Sequence, residues 1–349
     1  MTPHPTPEFY LSLFLFCDDL QPQDQAARQQ TVWRVQQLQA MGYRGVEMPI
    51  APTGLQDPRQ ELEHYRLLRQ ELDAAGCAEV AITTNVAVTA RFDPTAESAE
   101  QRRQALAYLR SRVDITAALR GTVMMGPLVF PYAQRPRGED GALLWSDDLQ
   151  ASWPRACDRA RPVLEALAQQ ASELQVKLAI EPISHWEMPA FNTLEQVMAF
   201  VETIANPQLG VVIDSAHEVL DGAGPERFAQ QVARLATAGR LHYLQLSAPD
   251  RGRLDQCWLP WQPFLQAVLP HYQGPWAIEI FNALPVFQPL LRLSRRLYPF
   301  KTHNGAAQET QAGSPTALEV ARLALEVAQR EILDALMHAN SSLMLHDSS

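Results

Sequence analysis

Little in this sequence supports a crosslinked, membrane-spanning or nucleic-acid-binding protein. Its four cysteines, Cys17, Cys77, Cys157 and Cys257, lie far apart and form no CxxC pair. That spacing suits neither a zinc ribbon nor a disulfide scaffold, and it predicts a reducing cytoplasmic setting. No window approaches the run of about 18 apolar residues that a membrane-crossing helix requires. Residues 1–7 carry no basic region followed by an apolar core, so they do not read as a signal peptide. There is no block of like charges and no basic stripe. A net charge of −10 and a pI near 5.4 argue against nucleic acid or an anionic membrane as the main partner. Also missing is a Gly-rich phosphate turn after the first apolar segment, where Cys17-Asp18-Asp19-Leu20 stands instead. A doubly wound nucleotide-binding sheet usually has that turn.

What is present is apolar and periodic. With 349 residues, 46% hydrophobic and 19% charged, the chain suffices for a large core. Short apolar or aromatic segments at 9–16, 43–50, 78–85, 122–129, 178–181, 209–214, 241–246 and 275–281 read as strands. Helical spacing fills 24–41, 59–75, 97–119, 151–174, 193–205, 225–237, 261–270 and 316–338. Eight such alternations predict an α/β protein with a (β/α)8 TIM barrel fold, a single domain over 1–349 with the barrel at about 9–338. Two long connections, 131–150 and 282–315, stand out. They could cover one mouth of the barrel, and the second includes a short helix at 287–296.

The strand ends carry the chemistry. Strand five finishes on Glu181, strand six on Asp214, strand seven reaches Gln245, and strand eight Glu279. Consecutive strand ends of a barrel face one mouth, so three carboxylates converge there. Like charges that close need a proton or a cation between them. A divalent metal held by oxygen ligands is the economical solution. Glu187, His217 and Arg251 lie close by in sequence. Each alone also reads as a solvated acid, a helix-end or core histidine, and a surface arginine.

Together the stretches Glu181-Pro-Ile-Ser-His-Trp-Glu187, Asp214-Ser-Ala-His217, Gln245-Leu-Ser-Ala-Pro-Asp-Arg251 and Ile278-Glu279 resemble the xylose isomerase-like TIM-barrel superfamily. The resemblance is strongest to its sugar isomerase and epimerase branch, which includes D-tagatose 3-epimerase-type enzymes and hydroxypyruvate isomerase. It implies that Glu181, Asp214, Gln245 and Glu279 hold one divalent ion, Mn2+ in most members, with Mg2+ or Co2+ as alternatives. It further implies that Glu181 and Glu279 act as the acid/base pair, and that Glu187, His217 and Arg251 grip a small-molecule sugar substrate. Glu47, at the end of strand two, matches a position that often lines the pocket, and Trp186 offers a ring for stacking. Members of this branch often form homodimers or homotetramers. The sequence departs from the common pattern at Gln245, where epimerases place His, and at Ser184 and His185, where Asn and Arg are usual. Those departures fall mainly on the substrate side.

The leading expectation is therefore a metal-dependent sugar isomerase or epimerase working through an enediolate. One alternative is a lyase or hydrolase that eliminates from 3-keto-glycosides in the same site. A non-catalytic sugar-binding barrel is the alternative from another class. A phosphodiester hydrolase of the apurinic endonuclease type shares the fold but needs more histidine ligands than His185, His217 and His242 supply.

Overall fold

A computed structural model describes residues 7–51, 57–134, 147–281 and 315–346. Eight strands close into a barrel in chain order. They are β1 (Phe9–Ser12), β2 (Gly45–Pro49), β3 (Ala81–Asn85), β4 (Val123–Gly126), β5 (Lys177–Ile180), β6 (Leu209–Asp214), β7 (Leu241–Leu246) and β8 (Trp276–Ile278). All neighbours run parallel, and β8 closes on β1 with Phe9 opposite Trp276 and Leu11 opposite Ile278. Closure leaves no unpaired sheet edge. Outside the barrel run α1 (Gln25–Met41), α2 (Pro58–Ala74), α3 (Ala99–Ala118), α4 (Asp147–Glu173), α5 (Leu194–Val201), α6 (Ser215–Asp221), α7 (Pro225–Thr237), α8 (Trp261–Val268) and α9 (Ala317–His346). None of the described helices is long and apolar enough to cross a membrane.

The strands are apolar on both faces because both faces are buried. Leu11, Val46, Ile82, Leu178, Val211 and Leu244 point outward into the layer shared with the helices. Tyr10, Val123, Met125, Ala179, Val212, Tyr243 and Ala277 fill the barrel interior. Two tyrosines fit there because the wall makes room. A Cβ on Gly45 would lie 2.6 Å from the Tyr10 ring, and Tyr243 spends its hydroxyl on Thr83 Oγ1 across the barrel at 2.7 Å. This plug lies below the C-terminal mouth and turns the barrel into a floor rather than a pore.

Helix boundaries follow local chemistry. Asp24 caps α1 through the Ala27 N–H at 2.9 Å, and Gly42 ends it at φ +107°. Thr193 and Gln196 form a capping box on α5, which is shorter than the 193–205 span expected. The first strand is also shorter than 9–16. It gives way after Ser12 to a 3₁₀ turn, Leu13–Leu15. An apolar run does not distinguish a buried strand from a buried turn, and this one turns Phe14 toward the mouth. Three elements extend the sequence reading: the first turn of α4 before residue 151, α6, capped by Asp214, and the last turns of α9 beyond residue 338. The short helix expected at 287–296 and most of both long connections lie outside the described residues, as do the terminal segments 1–6 and 347–349.

Candidate active site

The backbone delivers the acids to one end of the barrel. Glu181 follows β5 directly and donates its N–H to Gly126 O at 3.1 Å, while the Glu279 N–H donates to Leu246 O at 3.0 Å. Each acid therefore continues its strand's ladder by one residue. Gly126 is required for this. It sits at φ +129°, and a Cβ there would meet Val86 O at 2.4 Å. Asp214 is the last residue of β6 and stands in register beside Gln245 on β7. A tight turn from Ala248, with Arg251 in the left-handed region at φ +59°, brings the guanidinium back over the mouth.

A single hydrogen-bonded network joins these groups. Arg251 Nη1 donates to Asp214 Oδ2 at 2.7 Å and Nη2 to Glu279 Oε2 at 2.8 Å. Its Nε is 3.7 Å from Glu187 Oε1, and its guanidinium lies 4.1 Å from the Phe281 ring centroid. Asp214 Oδ1 accepts from the Ala216 N–H at 2.7 Å and from the Ser247 hydroxyl. Gln245 Nε2 donates to both Glu47 Oε2 and Glu279 Oε1, each at 3.0 Å. Asn85 Nδ2 donates to Glu47 Oε1 at 3.2 Å. The Tyr132 hydroxyl donates to Glu187 Oε2 at 2.8 Å.

His217 occupies a defined tautomer. The Ser184 N–H donates to its Nδ1 at 3.0 Å, so the ring proton resides on Nε2. That Nε2–H points between Glu181 Oε1 at 3.4 Å and Asp214 Oδ2 at 3.7 Å. Ligand atoms of Glu181, Asp214 and His217 all lie within 4.8 Å of one another. With Nδ1 engaged by a backbone donor, Nε2 serves as a hydrogen-bond donor rather than as a lone-pair ligand.

The electrostatics show how crowded the site is. Burial pushes Glu181 up, against the pull of His217. Burial also lifts Glu279 well above the usual carboxylate range despite Arg251, and it raises Glu47 to about 7. Asp214 is buried too, but Arg251, His217 and the Ser247 hydroxyl outweigh that and hold it low. Burial and Arg251 both disfavour charge on His217, yet Asp214, Glu181 and Glu187 together raise it. Arg251 remains charged because the surrounding acids overcome its desolvation.

These groups border a cavity of about 360 Å³, a size suited to a small molecule. Glu181, Glu187, His217, Arg251 and Glu279 line it, together with Asn85, Tyr132 and an apolar wall that includes Phe14, Ile50 and Phe281. Asp214, Gln245 and Glu47 lie behind that surface and are at most 1% exposed. Glu47, expected to line the pocket, instead lies two residues before the end of β2, with its carboxylate taken up by Gln245 and Asn85. Trp186 is 62% exposed, packs against the His185 ring at 4.9 Å, and does not line the cavity. His242, one of the three histidines considered as ligands, sits near the start of β7, where its Nδ1–H donates to Leu178 O at 2.9 Å. Of the residues not anticipated, Asn85 ends β3 as the acids end theirs, so the strand-end rule extended to β3 finds it. Tyr132 sits on a loop and carries no such signal.

A divalent cation is a chemical fit for this site. Five carboxylates (Glu47, Glu181, Glu187, Asp214 and Glu279) are buried around one guanidinium. Gln245 Oε1 is buried with no hydrogen-bond partner. A hard oxygen donor left unpaired among excess carboxylates suits a hard cation.

The comparisons agree with this architecture. The family model for the xylose isomerase-like TIM barrel matches residues 35–297. A ketose 3-epimerase of Arthrobacter globiformis is 24% identical over 75% of this chain and 81% of its own length. A crystal structure from Anabaena variabilis, provisionally assigned as a sugar phosphate isomerase/epimerase, is 45% identical, with TM-score 0.89 over 95% of this chain and 99% of that one. The D-allulose 3-epimerase of Methylomonas sp., solved with D-allulose, shares the fold at TM-score 0.69 and 18% identity, over 94% of this chain and 98% of that one. Closed parallel barrel, strand-end acids and matching family model together place this chain in the xylose isomerase-like TIM-barrel family.

Proposed function

We propose that this protein is a divalent-metal-dependent isomerase or epimerase that moves a proton next to the carbonyl of a sugar or keto-sugar. The observation that carries this reading is the cluster of buried carboxylates around a sugar-sized cavity, with Glu181 and Glu279 both on its wall. Relatives named as a ketose 3-epimerase and a D-psicose 3-epimerase support the same chemistry.

Glu181, Asp214, Gln245 and Glu279 would hold the ion, which we assign as Mn2+, with Mg2+ or Co2+ able to replace it. When bound, it supplies Lewis acidity that polarises a carbonyl and acidifies the adjacent C–H. One of Glu181 and Glu279 removes the α-proton, and the electron pair moves into the carbonyl to leave an enediolate. The other carboxyl group returns a proton. Return to the opposite face of the same carbon inverts it, and return to the former carbonyl carbon, with the hydroxyl proton passing from one enediolate oxygen to the other, moves the carbonyl.

His217 Nε2–H and Arg251 donate to the oxygen on which charge develops. Glu187, steadied by Tyr132, accepts from a sugar hydroxyl. Phe14, Ile50 and Phe281 exclude water from that side of the cavity.

Turnover of a keto-sugar in D₂O is the test. The reaction should place solvent deuterium at the carbon bearing the transferred proton, and chelation should abolish both turnover and exchange. A product formed without any deuterium would rule out the proton-transfer route.

A further inference from the structure

Gln245 raises a question that a carboxylate or an imidazole ligand would not. The two ends of its amide have nearly the same shape, yet only the oxygen can bind a cation. Something must decide which end stays free for a cation. Gln245 is 0% exposed, so solvent does not decide it.

We infer that Glu47 is a positioning residue that selects the amide orientation of Gln245, leaving its carbonyl oxygen available as a ligand. The inference rests on the metal-site reading above. Gln245 Nε2 is held between Glu47 Oε2 and Glu279 Oε1, at 3.0 Å from each, and its Oε1 is left without a hydrogen-bond partner. With Glu47 and Glu279 ionised, turning the amide over would set the carbonyl oxygen against two carboxylates, where lone pairs face lone pairs in a buried site. Glu279 alone does not fix the choice, because its other oxygen belongs to Arg251 and it is itself assigned to the cation. Glu47 has no such second duty. It is fully buried, takes amide donors on both oxygens, from Gln245 and from Asn85, and does not line the cavity. Asn85 holds the Glu47 carboxylate in place, Glu47 holds the Gln245 donor, and the Gln245 acceptor remains for the ion.

Mn2+ affinity of metal-stripped protein, measured by titration calorimetry, tests this without relying on turnover. Glu47→Gln should weaken binding by about 10–100-fold, the usual cost of losing a group that orients a ligand. That loss alone does not separate orientation from the removal of one negative charge. The separating variant is Gln245→Glu, whose two ends are both oxygen and need no orienting. In that background Glu47→Gln should leave Mn2+ affinity unchanged within about two-fold, or raise it. The double variant also keeps one amide and one carboxylate in the pair, so it should fold even if Glu47→Gln alone does not. It should then bind Mn2+ at least as tightly as wild type.

The same weakening in both backgrounds would show that Glu47 acts through its charge alone and would overturn the inference. So would a double variant that binds ten-fold more weakly than wild type. Wild-type protein that binds no Mn2+ would overturn the metal reading, and this inference with it. Intact wild-type binding with equal losses would overturn only the role of Glu47.

Discussion

His217 holds its Nε2–H 3.4 Å from Glu181 Oε1 while its Nδ1 accepts the Ser184 backbone N–H. The strand-five loop thus sets the tautomer of a residue that follows strand six, and the imidazole becomes a donor aimed at the reacting groups. His217→Asn should lower kcat by about 100-fold, the usual loss for one donor to developing charge, and leave metal content at the wild-type level. Turnover combined with elemental analysis checks both parts. Loss of the metal in this variant would make His217 a ligand and overturn its assignment as a donor.

Gly126 connects backbone conformation to the position of Glu181. At φ +129°, with Val86 O only 2.4 Å from where a Cβ would stand, an alanine meets both a disfavoured conformation and a clash. Gly126→Ala should cost at least about 2 kcal/mol of stability, read from denaturant unfolding. Activity should fall further than the unfolded fraction explains, because the Gly126 carbonyl accepts the Glu181 N–H.

His242 predicts an acid limb in stability that is independent of the active site. Burial lowers it from its ordinary value to about 4, so the folded protein holds it neutral while the unfolded chain protonates it near pH 6.5. Its contribution is fully present above pH 6.5 and is lost as pH falls toward 4. A lowering of that size corresponds to about 3 kcal/mol. Urea midpoints across pH 4–7 should drop less steeply for His242→Gln than for wild type. Parallel slopes would show that His242 does not govern this limb.

The barrel and its convergent strand ends were legible in the chain alone. Strands buried on both faces read as continuous apolar runs, and the residue at each run's end must face the mouth, so Glu181, Asp214, Gln245 and Glu279 could be picked out from position. The starts of α1, α5 and α7 fall within a residue of the expected 24, 193 and 225, because Asp24, Thr193 and Pro225 act on their own neighbours.

How those ends are used was settled by closure of the barrel. Arg251 bridges Asp214 and Glu279, Ser184 sets the tautomer of His217, Tyr132 steadies Glu187, and Glu47 holds the Gln245 amide from across the barrel. Most of these pairs are separated by tens to hundreds of residues and meet only because the barrel closes. Hydrogen-bond direction and burial arise from that closure, and no local spacing in the chain encodes them.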